Sequence, residues 1–144
     1  MYQAIQSLHS SLAYVAVAVL VLAVANAIYG LANKKLFKSK DLRLSLFALI
    51  FCHLQLVIGL ILYFISEKGF KAFAIEGAMK NPELRLTMLE HPLTNIVAIA
   101  LITIGWSKHK KQESQNGKFK KIAVFYTLGL LLLLSRIPWK SWLA

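Results

Sequence analysis

Five ionisable side chains fall inside or at the edge of long apolar runs: His9, His53, Glu90, His91 and Arg136. Such residues are costly in a membrane core, and where they occur they mark cofactor, proton or ion sites. Three are histidines on three separate runs, and a neutral imidazole is a common metal ligand. Two imidazoles from facing helices suit the axial positions of a haem iron, and helix bundles commonly hold cofactors in this way. A non-haem metal centre has weaker support. The runs hold no Cys/His pair at close spacing beyond the adjacent Cys52-His53, no HExxH, and only Glu90 as a carboxylate beside His91. Cys52 reads as a small packing residue. No GxSxG, Walker A or dinucleotide fingerprint is present, so a soluble-type catalytic site is unsupported.

The elements that must position these histidines follow from composition. Of 144 residues, 58% are hydrophobic and 16% charged, against about 45–50% and about 25% in soluble domains. The mean hydropathy is +0.60. Cys52 has no partner, which excludes a disulfide scaffold. A single small domain in a membrane remains. A bilayer core takes about 20 apolar residues per helix, and four segments answer to that: about Leu8–Leu31, Leu44–Ser66, Leu84–Trp106 and Ile122–Ile137. The last is the shortest, and the stems of Lys120 and Lys121 complete it by snorkelling. Met1 to Ser7 carries no charged side chain. The first run is also longer than a signal peptide's apolar region, so it is expected to stay in the mature protein. The fold expected is an all-α, integral membrane four-helix bundle running up-down-up-down.

The net charge of +11 is not spread as a nucleic-acid footprint, and no nucleic-acid partner is expected. Eleven basic residues lie in two loops, 32–43 and 107–121, and six on the opposite side. The positive-inside rule puts both loops in the cytoplasm and both termini outside. Trp106 then marks the inner interface and Trp139 and Trp142 the outer one. His109, in "SKHKKQ", is expected in solvated loop. Outside, "FKAFAIEGAMK" reads as a short interfacial helix. Asn81-Pro82-Glu83 is a strong helix start, with Pro92 kinking the helix just after His91.

Helical faces narrow the choice of ligands. His9 shares a face with Ala13, Ala16, Leu20, Ala23, Ala27 and Gly30, and His91 with Asn95, Ala98, Ile102 and Gly105. The second run has the stripe Ser45, Ala48, Cys52, Gln55 and Gly59, and His53 points well over about 90° away from its centre. His9 with His91 is the favoured axial pair, with His53 as the alternative ligand. One haem is favoured, and two would bring His53 in. His53, Gln55 and Cys52 also suit a quinone or second-haem site. Arg136, Lys140 or Arg85 would neutralise haem propionates, although Arg136 also reads as an ordinary interfacial snorkelling residue. The competing reading makes the histidines interhelical hydrogen-bonding groups, each worth about 0.6–2 kcal/mol, in an accessory structural subunit of a larger membrane complex.

The segments "LHSSLAY" at 8–14, "FCHLQLVIGLILYF" at 51–64, "LEHPLTNIVAIALITIG" at 89–105 and "SRIPW" at 135–139 resemble a small family. Its members are four-helix membrane proteins of Bacteroidetes labelled "cytochrome B". The resemblance covers nearly the whole chain and sets His9, His53 and His91 at the family's three histidine positions. It departs at Ser11 and Ala13, where family members often carry Gly and Arg, which leaves Arg136 as the better propionate partner. The resemblance implies a b-type haem and electron transfer in a bacterial inner membrane. The implied partners are the bilayer, a quinone, and a larger redox complex or a second copy of the chain. The diagonal-histidine plan is also similar to haem A synthase and dihaem cytochrome bundles.

Overall fold

Residues Tyr2–Ala32, mostly Ala, Leu and Val, form one unbroken helix, α1. Its 31 residues span about 46 Å, more than a hydrocarbon core needs. The structure is a computed structural model that describes residues 1–143. After a short turn, α2 runs Ser39–Ile65. Asp41, in its first turn, is buried and accepts from the Lys38 N–H and from Asn26 Nδ2, both at 2.8 Å. That carboxylate caps α2 and ties its start to α1.

The segment after α2 is not the single interfacial helix expected from its sequence. Phe70–Ala74 and Ala78–Lys80 are two separate 3₁₀ turns. Gly77, between them, takes a left-handed φ of 77° that breaks any continuous helix. Ala72 and Ala78 tuck under these turns against Met88, forming a small second core with Leu84 and Leu89. The next helix begins as expected. Asn81 Oδ1 accepts from the N–H groups of Glu83 and Leu84, and Pro82 opens α3, Pro82–Arg85.

A wider π turn, Leu86–Glu90, then leads into α4, His91–Lys110. The irregularity lies before His91, not after it as expected from Pro92. A proline ring crowds the carbonyl four residues back and offers it no N–H, so the distortion falls on the preceding turn. Helix α5 runs Gln115–Ser135, with Ser114 Oγ accepting from the Gly117 N–H. It stops two residues short of the expected Ile137, because the residue before Pro138 is held out of helical geometry. The four-residue α6, Trp139–Trp142, closes the described chain.

All regular structure among the described residues is helical. Three helical stretches are long and apolar enough to cross a membrane: Tyr2–Ala32, Ser39–Ala74 and Pro82–Lys110. Helix α5 is not among them. Its first turns hold Lys118, Lys120 and Lys121, which leaves an apolar run from Ile122 to Leu134.

Helix α1 packs on α2 and α5, and α4 packs on α5 and α2, so α1 and α4 lie across from each other. The core between them is built from Leu20, Ala48, Ile102, Ile122 and Tyr126 among others. The buried faces are the stripes expected from the sequence: Ala16, Leu20, Ala23, Ala27 and Gly30 on α1, Ser45, Ala48 and Cys52 on α2, Ala98, Ile102 and Gly105 on α4. Glycines allow the closest approach. A Cβ on Gly129 would overlap Ile102, and one on Gly105 would overlap Phe125.

Candidate cofactor-binding site

At one end of the helices a cavity of about 250 Å³ opens between α1, α2, α4 and the chain after α5. Its wall includes His9, Gln55, Gly59, His91, Asn95 and Trp142. His9 and His91 approach it from opposite helices, with ring centroids 6.3 Å apart and ring planes at 85°. The structure thus brings together the two histidines favoured from sequence.

The ring nitrogens differ in what they touch. His91 Nδ1 lies 2.8 Å from the backbone carbonyl of Arg136, so Nδ1 carries the proton and donates it. Nε2 is then the lone-pair nitrogen. The Asn95 amide nitrogen is 3.1 Å from Nε2 and 3.3 Å from Nδ1. The in-plane lone pairs of an imidazole diverge, so an atom nearly equidistant from both lies on neither axis. Nε2 therefore keeps its lone pair for the cavity. His9 makes no ring hydrogen bond among the described residues, and its Nδ1 is fully buried. Gly59 of α2 makes room for this ring, since a Cβ there would come within 2.9 Å of His9 Cε1.

Two more polar atoms are left over. Gln55 Nε2 donates to the His9 carbonyl at 2.8 Å, but its Oε1 has no partner, and Asn95 Oδ1 has none either. All three orphaned atoms belong to residues lining this one cavity. An unmet buried polar group costs about 1–3 kcal/mol, so their convergence points to an occupant rather than to an empty void.

His53 stands apart. It lies exposed on α2 outside the cavity, with Nδ1 3.0 Å from the Leu49 carbonyl and Nε2 3.2 Å from Thr103 Oγ1. Both nitrogens are engaged, the arrangement of an interhelical hydrogen-bonding histidine. Cys52 and Gln55 line the His9 cavity and not a separate site with His53. Arg136 contributes through its backbone. Its guanidinium turns to Glu90 at 3.8 Å, where Arg85 also pairs at 2.9 Å. Lys68, an exposed residue of the segment after α2, also lines the cavity, and sequence reasoning misses it because it lies outside the apolar runs. Asn95 and Gly59 are visible in the sequence as stripe positions, but nothing there marks them as neighbours of the two histidine rings.

The C-terminal segment completes the site. Trp142 Nε1 donates to the Ser10 carbonyl at 3.1 Å, and its ring packs on Tyr14 with centroids 4.6 Å apart. The stretch Arg136–Trp142 thus orients His91 and covers the cavity beside α1.

An imidazole nitrogen binds a first-row metal at about 2 Å, so two rings in trans have centroids about 6 Å apart once their own half-widths are added. The observed 6.3 Å and the unspent nitrogens leave His9 and His91 as the residues that would hold a metal-bearing group here. No cluster of three or more His, Cys, Asp or Glu suited to a metal ion occurs among the described residues. Compared with family models, curated proteins and solved structures, the chain matches none.

Proposed function

We propose that this chain is a b-type cytochrome of a bacterial inner membrane, in which His9 and His91 would hold one haem. The observation that carries the reading is the facing pair of histidines on α1 and α4, 6.3 Å apart. The His91 Nδ1–H bond to Arg136 supports it, because ligating histidines commonly donate their second ring N–H to a carbonyl, which fixes tautomer and orientation. When bound, haem supplies one-electron iron redox chemistry, and the protein tunes it through ligation, burial and nearby charge.

The chain's own residues have distinct tasks in this proposal. Gly59 admits the His9 ring, and Gln55 holds the backbone of α1 at His9. Arg136 aims His91 through its carbonyl. Lys68, on the cavity wall, offers the positive charge for a propionate. Trp142 covers the cavity and limits access of water. In the membrane the four long helices form an up-down-up-down bundle with both termini outside. Helix α5 completes its short span through the snorkelling stems of Lys120 and Lys121. Loaded with haem, the chain would serve as a one-electron carrier between a quinol or a membrane dehydrogenase and an acceptor on the outer side, alone or within a larger redox complex.

Purified chain from cells with ample haem supply tests the reading through its pyridine haemochrome. A b-type product at about one haem per chain supports it. A haem-free chain that co-purifies in a stoichiometric complex instead supports an accessory structural subunit.

A further inference from the structure

At the other end of α4, a second groove of about 380 Å³ lies between Phe37–Leu42, His109–Lys110 and Lys118. From His91 to His109 is about 27 Å along the helix, so the groove sits near the opposite membrane interface. Three lysines from three elements line it: Lys38 before α2, Lys110 at the end of α4 and Lys118 in α5. None makes an ion pair with an acid among the described residues. Asp41, in the first turn of α2, is occupied by Asn26 and by the Lys38 backbone.

The groove also receives the N-terminus of the 27-residue α2. The first N–H groups of a helix have no internal acceptor and favour anions. Ser39, the first residue of α2, is among the groove's lining residues.

His109 is the independent observation. Its sequence context predicts a solvated loop, yet it is 1% exposed. Helix α4 runs to Lys110, beyond the expected Trp106, and carries His109 under Phe37 and against Trp106, at centroid distances of 5.4 and 4.6 Å. Its Nδ1–H donates to the Trp106 carbonyl, 2.6 Å away. Its Nε2 has no hydrogen-bond partner among the described residues, and the residue lines the groove.

We propose that this groove binds the phosphate of an anionic phospholipid headgroup. Basic pockets between membrane helices at the cytoplasmic side are suited to such headgroups. Lys38, Lys110 and Lys118 supply the countercharge. His109 packs beneath the groove, between Phe37 and Trp106. Phe37 and Leu42 give the groove an apolar wall toward the glycerol backbone. The site is separate from the histidine cavity and stands whether or not haem binds there.

The test uses the full chain in a neutral detergent, with retained lipid read by native mass spectrometry. Phosphatidylglycerol, phosphatidylcholine and inorganic phosphate are offered in parallel. The expected result is at least about fivefold preferential retention of phosphatidylglycerol. The triple variant Lys38→Gln, Lys110→Gln, Lys118→Gln loses that preference. The variant Lys34→Gln, Lys111→Gln, Lys120→Gln, with the same charge removed outside the groove, keeps it. Equal loss in both variants, or equal retention of phosphatidylcholine, overturns the site. Displacement of phosphatidylglycerol by millimolar inorganic phosphate overturns the lipid assignment in favour of a free phosphate.

Discussion

The hydroxyl of Tyr63 donates to the backbone carbonyl of Met88 at 2.8 Å. That carbonyl is the acceptor that Pro92, four residues on, has no N–H to serve. A side chain of α2 thus repairs the hydrogen-bond ladder just ahead of His91, where the helix widens into its π turn. The irregular backbone is satisfied from a neighbouring helix, as a membrane setting requires.

Tyr63→Phe is therefore expected to destabilise the fold by about 1–3 kcal/mol, the cost of stranding a buried acceptor. In a Pro92→Ala background the loss shrinks, because the substituted alanine restores the missing N–H. A double-mutant cycle of unfolding in detergent checks this, and a coupling below about 0.5 kcal/mol contradicts it.

Gly59→Ala places a methyl group within 2.9 Å of His9 Cε1. Overpacking of that kind costs about 1–3 kcal/mol and pushes the ring from its position. The melting temperature should fall in the native background and change much less in His9→Ala. Equal falls in both place the strain elsewhere.

The placement of charge at the cavity gives a third contrast. Lys68 is an exposed residue at the cavity wall, whereas the Arg136 guanidinium is half exposed and turned to Glu90. Lys68→Gln is expected to lower haem retention more than Arg136→Gln, whose exposed ion pair is worth at most about 1 kcal/mol. The Arg136 carbonyl that holds His91 survives either change. Haem titration of the two purified variants decides, and the reverse order contradicts the assignment.

Much of this is legible in the sequence. The stripes through Ala16, Ala48 and Ala98 mark the buried faces because small residues recur there at helical spacing. The same periodicity sets His53 off the inner face of α2, where it is found exposed against Thr103. Asn81-Pro82-Glu83 gives the start of α3 through local capping chemistry alone.

What escapes the sequence depends on contacts between distant segments. His109 is buried because Phe37, far away in the chain, folds over it, while its immediate neighbours are lysines that read as solvated. The two 3₁₀ turns after α2 are held by Ala72, Ala78 and Met88, too few apolar groups for any periodic signal. The role of Arg136 rests on its carbonyl, which every residue type possesses.

The most direct test is a dithionite-reduced minus oxidised absorption spectrum of the purified chain and of three variants, His9→Ala, His91→Ala and His53→Ala. The account expects a b-type α-band in the native chain and in His53→Ala, and loss or alteration of that band in each of the other two. A normal six-coordinate spectrum in both His9→Ala and His91→Ala, or no haem in the native chain despite ample supply, contradicts it.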